Sequence, residues 1–158
     1  MFTEGMTAEQ ILLKYSDDIN RLAAYIPYLE TKSGKTVVNM YDGDDVGAKT
    51  CTFPVYDSNL MNFIKEMDHS NLMDRNYRYV YSRNRIQGPS DELRVIEQAT
   101  ILQMDQIAGI LSHYVMGGRT KARLWSDGVT NGVFLAALSK AKELVDFWTN
   151  ATTMEGRQ

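Results

Sequence analysis

The sequence contains one cysteine, Cys51, and no apolar run long enough to cross a membrane. A single cysteine excludes an internal disulfide framework, and without companions at metal-ligand spacing it also excludes a zinc cage. The longest clean apolar run, Val133 to Leu138, is far shorter than the roughly 20 residues that a membrane-spanning helix needs. Glu4 and Glu9 stand where a secretory signal would place positive charge. We therefore expect a cytoplasmic protein.

The chain also lacks a strong charge of either sign. Its 17 basic and 20 acidic residues give a net charge of −3, so no global attraction to nucleic acid or to an anionic membrane is expected. Residues 1–70 contain 6 basic and 11 acidic side chains, whereas residues 71–158 contain 11 and 9. A length of 158 residues is sufficient for one core. We predict a single globular domain over residues 1–158, frayed at residues 1–5 and 152–158.

A helix start is indicated near the N-terminus. Thr7 and Gln10 have the spacing of a capping box, in which each side chain accepts a hydrogen bond from the backbone of the other residue. Apolar residues then recur at helical spacing as far as Ile26. This pattern predicts one helix, or two helices broken near Ser16, ending around Pro27.

Three segments have the composition of β-strands. Residues 35–41 and 50–56 are rich in β-branched and aromatic residues and flank the acidic connection DGDDVGAK, which predicts an antiparallel hairpin. Tyr77, Tyr79 and Tyr81 alternate with other residue types, which favours a third strand with a tyrosine face. Helical patterns cover most of the remaining chain. The predicted class is α+β, mostly helical with a small antiparallel sheet.

The same tyrosines lie within RNYRYVYSRNR, residues 75–85, where arginines and tyrosines are interleaved. Tyrosines on a strand can stack on bases while arginines bind phosphate. The alternative is a half-buried strand with tyrosines facing the core and arginines in water. The candidate ligand-binding residues of this stretch are Tyr77, Arg78, Tyr79, Tyr81, Arg83 and Arg85.

A second basic segment, GGRTKAR, occupies residues 117–123. Arg119, Lys121 and Arg123 follow a helix stop and precede a helix start, where free backbone N–H groups could receive a phosphate or carboxylate. The alternative is a glycine cap and a solvated turn. The phosphate-binding loop pattern is absent.

The acidic connection offers a candidate cation site. Asp42, Asp44 and Asp45 carry suitable oxygen ligands, but the calcium-loop pattern is not met, and a flexible acidic tip is the simpler interpretation. His69 and His113 are far apart in sequence and belong to no triad or metal pair, so we assign them surface or capping roles. No cofactor motif and no catalytic constellation is present, which favours a protein that is not an enzyme.

Four segments together resemble a known family: YIPYLE (25–30), FPVYD (53–57), YVMGGRTKARLW (114–125) and DGVTNGVFLAALSKAKELVDFW (127–148). This family is a functionally uncharacterised domain of small proteins from gut Firmicutes, their phages and mobile elements. The resemblance covers most of the chain, and it assigns no catalytic residue. It implies an intracellular accessory protein from a phage or an integrated element.

Two functions from different classes follow. The first is a non-enzymatic protein that occupies a protein partner, such as a CRISPR effector in counter-defence, with an acidic surface that imitates a phosphate backbone. The residues of that surface would be Asp42, Asp44, Asp45, Asp57 and Asp68. The second is a binding module for a nucleotide or a short nucleic acid that uses the tyrosine and arginine residues above. A third hypothesis is a hydrolase whose metal ion is held by Asp42 or Asp44.

Overall fold

The computed structural model describes residues 6–32, 38–41, 53–56, 58–121 and 123–156, with side-chain burial for residues 6–32, 58–121 and 123–151. The first helices are α1 (Ala8–Leu22) and α2 (Ile26–Lys32), joined by a 3₁₀ turn. Then come α3 (Ser58–Asp68), α4 (Tyr77–Arg83) and α5 (Pro89–Gln98). A second 3₁₀ turn leads into α6 (Met104–Gly117), which is followed by α7 (Arg123–Thr130) and α8 (Val133–Gly156).

The capping box at the start of α1 is confirmed. Gln10 N donates to Thr7 Oγ1 at 3.2 Å, and Thr7 N donates to Gln10 Oε1 at 2.9 Å. Of the two alternatives, a break near Ser16 is wrong, because α1 continues past it to Leu22. Pro27 does not end the helical region, because it occupies the first turn of α2, where a proline removes no helical hydrogen bond.

The α+β class predicted from the sequence is wrong, because the described core is all-α. Two four-residue strands, β1 (Val38–Tyr41) and β2 (Phe53–Tyr56), pair antiparallel with Val38 opposite Tyr56. Over the residues whose burial is described, however, every buried hydrophobic side chain lies on a helix or in a connection between helices. The fold is therefore determined by helix packing and not by a sheet.

The predicted tyrosine strand is wrong as well, since its residues form helix α4. Tyr77 and Tyr81 are four residues apart and share one helix face with Val80, which is only 2% exposed. Tyr79 lies away from that face and is 47% exposed. An alternation over six residues is short enough to fit either structure, and burial of Val80 against α6 overrides the strand preference of tyrosine.

Helix α6 is the central element of the fold. Nine of its 14 residues are buried, and it contacts α3, α4, α5, α7 and α8. Ser112 in α6 also fixes the connection before α4, because its hydroxyl accepts from Asp74 N at 2.8 Å and donates to Ala108 O at 2.7 Å. This arrangement places α4, α5 and α7 around one face of α6, where the candidate site lies.

Candidate ligand-binding site

Helices α4 and α6 approach closely because one of them carries a glycine at the contact. A Cβ atom added to Gly109 would lie 2.7 Å from Val80 Cγ2, inside van der Waals contact. The approach brings two tyrosines of α4 against His113 of α6. The ring centroid of His113 is 5.7 Å from that of Tyr77 and 4.6 Å from that of Tyr81. Three rings from two helices therefore form one aromatic surface.

A buried carboxylate lies behind this surface. Glu92 of α5 is 2% exposed, and each of its oxygens accepts a hydrogen bond from a tyrosine hydroxyl. Tyr81 donates to Oε2, and Tyr114 donates to Oε1 at 2.5 Å. Asn131 Nδ2 in turn donates to the Tyr114 hydroxyl oxygen at 3.0 Å. Residues from α4, α5, α6 and the connection after α7 thus form one hydrogen-bonded network.

Burial and this network shift the ionisation of the surrounding groups. Burial raises the pKa of Tyr81 and of Tyr114 far above the ordinary value, and the hydrogen bond to Glu92 adds to both increases. Burial also lowers the pKa of His113, and the nearby Lys121 acts in the same direction, while the Glu92 charge opposes both. At neutral pH the tyrosines are protonated donors and His113 favours its neutral form.

Two adjoining depressions open onto these residues. The first, which we call the basic depression, has a volume of about 310 Å³ and is lined by Tyr77, Arg78, Tyr81, His113, Lys121 and Leu124, among others. The second, the acidic cavity, has a volume of about 490 Å³ and is lined by Tyr81, Glu92, His113, Tyr114, Asp127 and Asn131, among others. Both include Tyr81, His113 and Leu124. We call the two together the groove.

The groove brings together part of the basic and aromatic set that the sequence predicts. Tyr77, Arg78, Tyr81 and Lys121 line the basic depression, although α4 supplies the first three as a helix rather than as a strand.

The other members of that set do not line the groove. Tyr79 and Arg83 line a separate depression of about 230 Å³, with Arg83 Nη1 donating to the Tyr79 hydroxyl at 3.2 Å. Arg119 forms an ion pair with Asp68, and Arg123 forms one with Asp127 at 3.4 Å.

Arg85 has a structural role at the end of α4. It adopts a positive φ of 54°, and the following Ile86 N donates back to Tyr81 O at 2.9 Å. Arg85 N donates to Ser82 O at 3.3 Å, which completes a Schellman motif in which glycine is the usual residue at this position. The exposed Arg85 side chain does not line the groove.

The predicted acidic surface falls largely outside the described residues. Asp42, Asp44, Asp45 and Asp57 are not described, and Asp68 is paired with Arg119. Occupation of a protein partner and the metal-dependent hydrolase therefore stay predictions. Within the ranges that the structure describes, no three metal-binding side chains come together.

Several residues of the groove were not predicted from the sequence. Glu92, Tyr114 and Asn131 were not among the candidates, and His113, assigned to the surface or to capping, lies half-buried in the groove with its ring among tyrosines. The capping role is confirmed for His69, whose Nδ1 lies 2.8 Å from Lys65 O. One pattern could have indicated Glu92: it shares a helical stripe with Val95 and Ile96, both buried, where a carboxylate is unusual.

Comparison with known protein families identifies a match. The profile of a family of unknown function (DUF6508) matches residues 15–147. The chain belongs to this family. The matched range includes every groove residue named above, so the groove is part of the family domain. Neither the curated proteins nor the solved structures include a significant match.

Membership supports the resemblance seen in the sequence at the level of a domain of unknown function. The origin of the protein from Firmicutes, phages or mobile elements stays a prediction. Among the helices in the described part of the chain, none has both the length and the apolar character required to span a bilayer.

Proposed function

We propose that the protein binds a nucleotide, free or at the end of a short nucleic acid, in the groove between α4, α5, α6 and α7. The observation that supports this function most strongly is the composition of the basic depression. Two cationic side chains, Arg78 and Lys121, border the aromatic surface of Tyr77, Tyr81 and His113.

These two features match the two chemical parts of a nucleotide. Guanidinium and ammonium groups form charge-assisted hydrogen bonds with phosphate oxygens. Aromatic side chains stack on bases, and each such contact contributes about 1–3 kcal/mol. The two volumes, about 310 and 490 Å³, fall in the range typical of small-molecule sites, roughly 300–1,000 Å³. The groove therefore has room for both a base and a phosphate group.

The direct test is calorimetric titration with nucleoside monophosphates. We expect Arg78→Ala combined with Lys121→Ala to weaken nucleotide binding at least about tenfold, because both substitutions remove phosphate ligands. The matched control is Lys65→Ala combined with Lys140→Ala, which removes the same charge from α3 and α8 outside the groove. An equal loss of affinity in both double variants would show that the effect depends only on net charge. It would contradict a site at Arg78 and Lys121.

A further inference from the structure

The acidic cavity presents hydrogen-bond acceptors, and Glu92 is the reason. A phenol hydroxyl has one proton, and the hydroxyls of Tyr81 and Tyr114 both donate theirs to the Glu92 carboxylate. Their oxygen atoms then retain only lone pairs for any other partner. The Tyr114 oxygen already uses one lone pair to accept from Asn131.

The neighbouring polar groups include both donors and acceptors. Asn131 Oδ1 accepts from Val133 N at 3.0 Å, which fixes the amide with its nitrogen toward Tyr114. Asp127 contributes a second carboxylate to the cavity wall. Among the described residues, its charge is paired with Arg123, whose side chain is 86% exposed. The cavity wall therefore offers oxygen acceptors from two carboxylates and Tyr81, beside donors from the side chains of Gln87, Thr130 and Asn131.

The charge of Glu92 is not compensated by a protein cation. Its hydrogen-bond partners are neutral hydroxyls, and within the described part of the chain it forms no ion pair. Burial of a carboxylate without a cation is costly, and two hydroxyl donors leave further lone pairs of a carboxylate unused. A ligand that supplies N–H donors would satisfy them.

On the basis of the proposed function, we infer that the acidic cavity selects a guanine base. The phosphate then lies in the basic depression with Arg78 and Lys121. Guanine presents two adjacent donors, the ring N1–H and the 2-amino group. Adenine and cytosine place an acceptor beside their amino group, and uracil has one N–H between two carbonyl acceptors. Guanine is the only one of these bases that presents two adjacent donors to the acceptors of Glu92, Tyr81 and Asp127, with its O6 acceptor to one side of them.

The test compares the affinities of GMP, IMP, AMP, UMP and guanosine by calorimetry. IMP lacks only the 2-amino group of GMP, so the pair isolates one donor. We expect GMP to bind about tenfold or more tightly than IMP, since discrimination by a paired hydrogen-bonding edge is of that order. AMP and UMP should bind more weakly still.

Two variants connect the preference to the cavity. Glu92→Gln replaces an acceptor oxygen with a donor amide and should abolish the difference between GMP and IMP. Because Glu92 is buried, circular dichroism must show that the variant is folded. Asp127→Asn, at a less buried position, provides a second test and should reduce the ratio of GMP affinity to IMP affinity.

The outcomes separate this inference from the proposed function. Equal affinities for the four nucleotides would overturn guanine selection and leave nucleotide binding intact. Guanosine binding as tightly as GMP, with IMP still weaker, would support the acceptor cavity and contradict phosphate recognition by Arg78 and Lys121. Absence of binding by all five compounds would overturn both.

Discussion

The hydroxyls of Tyr81 and Tyr79 differ in their surroundings although the residues are two positions apart. Tyr81 donates to a buried carboxylate, whereas the Tyr79 hydroxyl accepts from the exposed Arg83. A hydrogen bond to a buried charge contributes about 1.5–3 kcal/mol, and exposed contacts contribute little. The stability of the protein should therefore depend more on the Tyr81 hydroxyl than on the Tyr79 hydroxyl.

We expect Tyr81→Phe to lower the free energy of unfolding by about 1.5–3 kcal/mol, because Glu92 loses one of its two donors. Tyr79→Phe is the matched control and should change it by less than about 0.5 kcal/mol. Urea denaturation of both variants measures the difference. Similar values for the two variants would mean that the Glu92 network contributes little.

The environment of His113 predicts a pH dependence of stability. Its folded pKa is lowered from the ordinary 6.5, chiefly by burial, so the unfolded chain binds a proton more readily than the folded chain does. Below about pH 6.5 the free energy of unfolding should fall as pH decreases, and the loss should level off below the folded pKa. The contribution of neutral His113 to the free energy of unfolding is fully present well above pH 6.5.

The measurement compares the parent protein with His113→Gln at pH 7.5 and at pH 5.0. The carboxylates titrate in both proteins, so the difference between them isolates His113. The parent should lose stability relative to the variant on acidification. An increase in relative stability would show that attraction to Glu92 outweighs burial.

At the scale of elements, the contact between α4 and α6 determines whether the groove exists. We expect Gly109→Ala to cost about 1–3 kcal/mol, because the new methyl group overlaps Val80 and overpacking separates the helices. The gain in helix propensity from alanine, up to about 1 kcal/mol, offsets part of this cost. Thermal and urea unfolding measure the net change.

Gly88→Ala is the control for that substitution. Gly88 has an extended backbone, with φ −173°, and no atom lies within 4 Å of a Cβ placed there. Replacing Gly88 by alanine should therefore leave the free energy of unfolding nearly unchanged. Adding Val80→Ala to Gly109→Ala should restore part of the lost stability, since the two side chains compete for the same space. Additive losses would contradict a direct clash between them.

At the scale of the whole molecule, aromatic contacts connect elements that are distant in sequence. Tyr25 contacts Phe63, Phe63 contacts Phe134, and Phe134 contacts Tyr114, with ring centroids 5.3, 5.1 and 5.6 Å apart. This series of aromatic contacts runs from the turn before α2 through α3 and α8 to α6. The residues that form it are continuous with the main core and with the Glu92 network.

Such a core predicts cooperative unfolding of one domain. Far-ultraviolet circular dichroism reports on all helices, and tryptophan fluorescence reports on Trp125 in α7 and Trp148 in α8. We expect both probes to give the same urea midpoint within experimental error. Two separate midpoints would contradict the single domain predicted from the sequence.

Local patterns determined part of this structure without tertiary information. The capping box of Thr7 and Gln10 has three-residue spacing, so its hydrogen bonds form within one turn. The glycines at positions 117 and 118 similarly predict a helix stop, and α6 ends at Gly117. These features depend on neighbours within four residues, which a sequence shows directly.

Tertiary packing decided the conformation of residues 77–83 and the location of the groove. Tyr77, Tyr79 and Tyr81 fit a strand or a helix, and contact between Val80 and Gly109, 29 positions away, selects the helix. The partners Tyr81, Glu92 and Tyr114 come from three helices, so their proximity requires the fold. The sequence by itself determined which residues were basic and aromatic, and the packing of α4, α5 and α7 on α6 decided which of them meet.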